Sequence, residues 1–165
     1  VSDLSFSPDG SLLASCYFRS EAVKLWSTTS GRLVRELPGH TGGALECRFS
    51  SDGRYIVTTG QDVEVRLWDV ASGKRIRSYK DTIASRFPGF SGASAIAFGA
   101  NDSIIIAAHT VGGIMLLDTR SGTFIRTLVL SSDGSRTTGD ARKVSPDQHI
   151  TSEGASGDWQ DHVMP

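Results

Sequence analysis

Apolar residues along this chain come in short bursts of four to six positions. Most alternate with polar residues, a few are apolar on both faces, and each burst is cut off by a cluster of Gly, Pro, Asp or Ser. That spacing predicts β-strands joined by tight turns, and no stretch shows the 3.6-residue period of an amphipathic helix. Twelve strands are expected in three groups of four: 1–6, 12–17, 23–26 and 33–37; 44–49, 55–59, 63–68 and 75–79; 93–98, 104–108, 114–117 and 124–129. Ile104-Ile105-Ile106 is apolar on both faces, as suits a sheet sandwiched between neighbours. Arg75-Ile76-Arg77-Ser78-Tyr79 alternates, as suits an outer strand facing water. Each group is thus expected to hold three buried strands and one wet one.

The groups share their wording. Val23-Lys24-Leu25-Trp26 leads into Thr29-Ser30-Gly31, Val65-Arg66-Leu67-Trp68-Asp69 into Ala71-Ser72-Gly73, and Ile114-Met115-Leu116-Leu117-Asp118 into Arg120-Ser121-Gly122. Each group opens on a turn phrase: Phe6-Ser7-Pro8-Asp9-Gly10, Phe49-Ser50-Ser51-Asp52-Gly53, then Phe98-Gly99-Ala100-Asn101-Asp102. Trp26 and Trp68 stand 42 residues apart, and Leu117 follows 49 residues later. Self-similarity at this period is the signature of a repeat architecture whose units bury their faces against one another. From about residue 130 the aliphatic residues thin out, Ser, Gly, Asp and Thr take over, and a disordered tail over 130–165 is expected, with Trp159 and Met164 solvated in it.

Composition narrows the picture mainly by exclusion. The 165 residues carry a net charge of -1 and 38% hydrophobic residues, which gives no electrostatic reason to expect nucleic acid or an anionic membrane as partner. No apolar run approaches the roughly 20 residues of a membrane-spanning helix, and no secretory signal stands at the N-terminus, so a cytoplasmic location is expected, with the nucleus left open. Asn101-Asp102-Ser103 is therefore read as a turn rather than a glycosylation site. The chain begins at Val1 without an initiator Met and is expected to be a piece of a longer protein. Cys16 and Cys47 are expected as buried thiols in a reducing compartment. Ser72-Gly73-Lys74 lacks the upstream Gly of a phosphate-binding loop, and the four His and two Cys are scattered without metal-ligand spacing. No active site, cofactor or metal is expected.

The residues at 7–10, the pair Gly39-His40 and the triplet Leu67-Trp68-Asp69 resemble the WD-repeat family of β-propellers. The resemblance covers residues 1–129 and implies an all-β partial propeller of three four-stranded antiparallel blades, about 1–38, 44–80 and 93–129, set radially around a channel. It also implies a structural network in the second unit, in which His40 bonds Asp62 while Thr58 and the indole of Trp68 complete the chain. A buried imidazole, hydroxyl and indole each need a partner whatever the family. Taken as a catalytic triad, His40, Asp62 and Thr58 would have the roles in the wrong order, with the hydroxyl buried in mid-strand. The first unit lacks the His and the turn Asp. The third has Phe90 for His, Ala107 for Ser or Thr and Leu117 for Trp, with seven additional residues within 80–90. Asp118-Thr119-Arg120 resembles the end of a motif of WD-repeat ubiquitin-ligase receptors, but without its Trp it is read as a turn.

In that family the loops before the first strand and after the second share a rim that binds partners. Here the resemblance places Tyr17, Phe18, Arg19, Gln61, Arg86, Phe87 and Phe90 on it; aromatic and Arg side chains are the types that anchor interfaces. The expected function is a non-enzymatic protein-interaction scaffold. The alternative is a regulatory or sensor segment of a larger signalling protein whose ATPase or kinase part lies elsewhere. Three blades do not close a ring of usual curvature. The expected partners are therefore proteins or peptides, together with either a second copy of the chain or further blades of the same protein; a truncated, weakly stable product is the third outcome.

Overall fold

The computed structural model describes residues 1–80, 92–99, 101–109, 113–130 and 136–139. Three antiparallel sheets stand side by side, with no helix among the described residues. Blade I holds β1 (Asp3–Phe6), β2 (Leu12–Cys16), β3 (Ala22–Ser27) and β4 (Leu33–Pro38). Blade II holds β5 (Ala44–Phe49), β6 (Tyr55–Gly60), β7 (Glu64–Asp69) and β8 (Arg75–Lys80). Blade III holds β9 (Ala95–Gly99), β10 (Ile104–Ala108), β11 (Gly113–Asp118) and β12 (Phe124–Leu130). This is the partial propeller the resemblance implied. Strand order within each blade is sequential, and the first strands are the closest neighbours from blade to blade.

Two differences from the expectation stand out. Val63, read as the start of a strand, sits instead in the turn before β7 with φ 54°, a left-handed conformation that a β-branched residue adopts only under constraint. Inside the segment read as a disordered tail, β13 (Arg136–Gly139) pairs antiparallel with β12, making blade III five-stranded and covering an outer edge that has no strand partner among the described residues in the other blades. Residues 140–165 lie outside the described residues.

The turns explain why the phrases repeat. Asp9 Oδ1 accepts from the Ser7 hydroxyl at 2.6 Å and the Ser11 amide at 3.0 Å; Asp52 Oδ1 does the same with Ser50 at 2.7 Å and Arg54 at 2.9 Å. Gly10 and Gly53 follow with φ near 70°. In the worn third copy Asn101 and Asp102 take left-handed φ of 55° and 60°, the two side chains best able to do so without Gly.

Register is conserved along with wording. One row of directly paired residues crosses blade I as Phe6, Leu13, Trp26 and Leu33. The matching rows are Phe49, Ile56, Trp68 and Arg75 in blade II, and Phe98, Ile105, Leu117 and Phe124 in blade III. On the opposite face the rows end in arginine: Ala14, Leu25, Arg35; Val57, Leu67, Arg77; Ile106, Leu116, Arg126. The bulky row of each later blade packs on the opposite face of the blade before it. Two apolar seams result: Ala14, Val23 and Leu25 against Ile56 and Trp68, then Val57, Val65 and Leu67 against Ile105 and Leu117. These side chains are at most 2% exposed, so truncating one large aliphatic to Ala costs about 2–5 kcal/mol. The outer faces of the array are different. Phe6 is 63% exposed, and Ile104 and Ile106, expected to be sandwiched, are only half-buried.

Polar contacts stitch the seams at both edges. On the channel side Asp3 Oδ2 accepts the Cys47 amide at 2.9 Å and the Arg48 guanidinium, and Glu46 Oε2 accepts the Ile96 amide at 3.1 Å. Ala95 occupies the corresponding place in blade III. On the outside, Arg35 donates to the carbonyls of Ser72 and Ala71 at 3.0 and 2.8 Å, and Arg77 to that of Arg120 at 2.5 Å. Cys16 and Cys47 are fully buried free thiols in the first seam; the Cys47 thiol beside it and then burial push Cys16 upward, keeping it protonated.

A candidate protein-binding rim and the network beneath it

The turn joining β6 to β7 is built on a chain of four side chains from separate elements. Asp62 lies in the turn, Thr58 on β6, Trp68 on β7, and His40 in the connection from blade I. His40 Nδ1 lies 2.9 Å from Asp62 Oδ1, His40 Nε2 lies 2.8 Å from Thr58 Oγ1, and Trp68 Nε1 donates to Thr58 Oγ1 at 2.9 Å. The proton directions follow from the inventory of groups. The indole only donates and an ionised Asp62 only accepts, so Thr58 donates to Nε2 and Nδ1–H donates to Asp62. That arrangement requires a neutral imidazole. Burial lowers the pKa of His40 against the opposing pull of Asp62, in agreement.

Asp62 also accepts the Thr41 amide at 3.0 Å and the guanidinium of Arg66 at 2.8 Å, and Arg66 reaches Glu64 as well. The His40 and Gly39 amides both donate to the Glu21 carbonyl at 3.0 Å, which ties the network to blade I. Blade I carries a shorter version, with Trp26 Nε1 donating to Ser15 Oγ at 2.9 Å. In blade III the matching positions are apolar, Ala107 and Leu117, both buried. Thr58 is fully buried with its proton and a lone pair engaged, so no substrate atom has access to it. The network holds a loop.

Gly60 is the member of this site that motif reasoning missed, because it is one of 18 glycines and nothing in its own segment marks it. A Cβ there would lie 2.7 Å from His40 Cγ and 2.8 Å from Asp62 Oδ1. Similarly, a Cβ on Gly43 would overlap the Phe18 carbonyl, and one on Gly92 would lie 2.6 Å from the Gly60 carbonyl. The connections from blade to blade therefore press directly on the turns they cross. The Ala44 amide donates to the Ser20 carbonyl at 3.1 Å and the Gln61 amide to that of Gly43 at 3.0 Å.

These contacts gather part of the expected rim. Tyr17, Phe18 and Arg19 project from the β2–β3 turn, and Gln61 lies one blade further on, beside Gly42. Phe18 is 57% exposed, and Arg19 is exposed. Tyr17, Phe18 and Arg19, with Val1, Ser20 and Lys24, line an open groove of about 450 Å³. Arg86, Phe87 and Phe90 lie outside the described residues. Among the described residues no cluster of three or more His, Cys, Asp or Glu could hold a metal ion, and no helix is long and apolar enough to cross a membrane.

Comparison with known proteins agrees with this geometry. A family model described as "WD domain, G-beta repeat" matches residues 1–27 and 31–69. The nuclear distribution protein PAC1 of Arthroderma otae is 40% identical over 62 residues, covering 38% of this chain and 13% of that protein. The COMPASS component SWD3 of Saccharomyces cerevisiae is 26% identical over 144 residues, covering 84% of this chain and 41% of that protein. Eukaryotic translation initiation factor 3 subunit I of Schizosaccharomyces pombe is 28% identical over 80 residues, 48% of this chain and 24% of that protein. The chain therefore spans less than half the length of these relatives. Among solved structures, one titled "Structure of U3-55K" superposes with a TM-score of 0.67 at 19% identity, covering 78% of this chain and 38% of that one; this likeness concerns the fold alone.

Proposed function

We propose that this chain, a member of the WD-repeat family, serves as a protein-interaction module that receives a peptide segment of a partner on the rim at Tyr17, Phe18, Arg19 and Gln61. The observation that carries this reading is Phe18, a large aromatic side chain left 57% exposed on a backbone clamped from below by Gly43. An exposed aromatic beside an Arg, on a turn that does not have to reorganise, is the composition of an interface anchor. The groove beside it has room for a short side chain or turn, and the Arg19 guanidinium selects an acidic neighbour. Relatives named as a component or subunit of larger assemblies support the same class of role.

The test is a selection from a random peptide library displayed on phage against the immobilised chain, followed by titration of the enriched peptides against a Phe18→Asp/Arg19→Glu variant. Acidic–apolar peptides that bind the native chain and lose at least tenfold in affinity on the variant are expected. Failure to enrich any sequence, or peptides indifferent to the two substitutions, would refute the rim reading.

A further inference from the structure

Between the third and fourth strands of each blade, one directly paired position changes character from blade to blade. In blade I it is Lys24 opposite Glu36, with Lys24 Nζ 3.5 Å from Glu36 Oε1. In blade II it is Arg66 opposite Ser78, and in blade III Met115 opposite Thr127. Blade II thus keeps the cation of this pair and sets a hydroxyl where blade I has the carboxylate. Ser78 is exposed on the outer strand, whereas Thr127 is buried opposite a thioether. Blade II has a neighbour on each flank, so the exposure of its outer strand belongs to the fold and not to an open end of the array.

Arg66 is itself incompletely satisfied. Its side chain is 6% exposed; Nε and Nη2 bond Glu64 and Asp62 at 3.0 and 2.8 Å, and Nη1 is buried without an acceptor. The strand around Ser78 is basic: Lys74, Arg75, Arg77 and Lys80 fall between 74 and 80 with no Asp or Glu among them. Lys80 shares a face of β8 with Ser78, and Arg75, exposed, lies three residues before it. A hydroxyl on extended chain with an Arg at that spacing suits the acidic substrate groove of a basophilic protein kinase. Ser51 and Ser27 follow Arg48 and Lys24 at the same spacing, but their hydroxyls are engaged. That of Ser51 donates to Asp102 at 2.5 Å, and that of Ser27 accepts the Ser30 amide at 3.2 Å.

We propose that Ser78 is a phosphorylation site for a kinase of basic-sequence specificity, and that its phosphate gives blade II, against Arg66, the cross-strand ion pair that Lys24 and Glu36 make in blade I. The γ-phosphoryl group of ATP passes to Ser78 Oγ: the bond to the ADP oxygen breaks, the Oγ–P bond forms, and the hydroxyl proton leaves to the base of the kinase. Directly paired side chains lie within reach of each other, and the phosphate brings a charge of about -1.5 to -2 with three acceptor oxygens. Nη1 is the Arg66 donor still free for it, so the new bond takes none from Asp62 or Glu64. Those two carboxylates oppose the added charge, and Lys80, opposite Glu64 in the ladder, offsets it.

The native chain, incubated with ATP and the catalytic subunit of cyclic-AMP-dependent protein kinase, is expected to take up phosphate that tandem mass spectrometry maps to Ser78. Ser78→Ala is expected to lower the initial rate at least tenfold, and Arg75→Gln, an exposed change outside the Arg66 pair, to lower it about as far. Ser145, three residues after Arg142 and outside the described residues, is the competing acceptor. Phosphate at Ser145 and not at Ser78 would overturn the site. So would phosphate at Ser78 only in a free peptide of residues 72–80 and not in the folded chain. Titration by phosphorus NMR reads the pairing: the second pKa of phosphoserine, ordinarily about 6, is expected to lie lower in the folded chain than in the free phosphopeptide. Equal values would overturn the pairing. The shift is expected to survive Lys80→Gln, which leaves Arg66 as its source; its disappearance there would transfer the pair to Lys80 and overturn the assignment to Arg66.

Discussion

A Cβ atom on Gly60 would overlap the imidazole of His40, although His40 lies in the connection from blade I and Gly60 ends β6 within blade II. Gly60 is absent from the left-handed region, so its backbone tolerates alanine and the conflict is purely steric. Gly60→Ala is accordingly expected to push His40 off Asp62 and Thr58 and to cost about 2 kcal/mol or more, in the range of overpacking plus a broken buried hydrogen bond. Urea denaturation would show it as a lowered midpoint with an unchanged slope; an unaltered midpoint would mean that the network is looser than its distances indicate.

Protonation of His40 should couple to stability in one direction only. Its folded-state pKa lies below the ordinary value of 6.5, so on acidification the unfolded chain takes up this proton first. Stability is therefore fully present above pH 6.5 and falls as the pH drops from there toward the lowered folded value. Asp62, Glu64 and Arg66 face the ring and set the local field. His40→Gln is expected to remove the slope between pH 6.5 and 5, measured by thermal unfolding across that interval.

A separate loss is expected at more acidic pH. Asp9 is held at about 2 by the hydroxyl of Ser7 and the amide and hydroxyl of Ser11, and Asp52, Asp69 and Asp118 are lowered by the same kind of turn hydrogen bonds. What these carboxylates contribute is present above about pH 4 and disappears as the pH falls through their lowered values. An Asp9→Asn/Asp69→Asn variant should flatten this limb and leave the one near pH 6 intact.

The two tryptophans make a comparison of burial. Trp68 is 2% exposed and its N–H satisfies Thr58, whereas Trp26 is half-buried above Ser15. Trp68→Phe strands the Thr58 oxygen away from water and is expected to cost about 2–3 kcal/mol. Trp26→Phe lets solvent replace the lost donor and costs about 1 kcal/mol or less. Equal losses in chemical denaturation would contradict the assigned burial.

Arg35 and Arg126 share a register position but differ in surroundings. Arg35→Ala removes two hydrogen bonds across the first seam and is expected to cost about 1 kcal/mol, a value discounted for partial exposure. Arg126→Ala should leave the unfolding free energy unchanged. Chemical denaturation of the two variants separates the cases.

Much of this architecture is legible from local spacing. All twelve strands of the three blades fall within two residues of the turn-delimited bursts, because alternation and Asp-Gly punctuation are properties of neighbouring residues. His40, Asp62, Thr58 and Trp68 can be assembled from the resemblance for the same reason that motifs work: their spacing is carried by one repeat. Gly60 and Gly43 escape, since what makes them necessary is an atom from a distant segment, His40 Nδ1 in one case and the Phe18 carbonyl in the other. The staples of Arg35 and Arg77 escape likewise. A strand pattern shows that an Arg faces outward, but not that a carbonyl of the next blade waits there. β13 is hidden for the opposite reason: Arg136-Thr137-Thr138-Gly139 contains no apolar alternation to mark a strand, and only its pairing with β12 reveals it.

Ala95 gives the array a polarity of strength. Asp3 and Glu46 each lock the channel side of the following blade, and the third position in that series has no carboxylate to extend. A sheet seated beyond blade III would therefore find no carboxylate at this position of the hub. The two seams are each tied at the hub by a carboxylate, and the place from which a third tie would come is held by a methyl group.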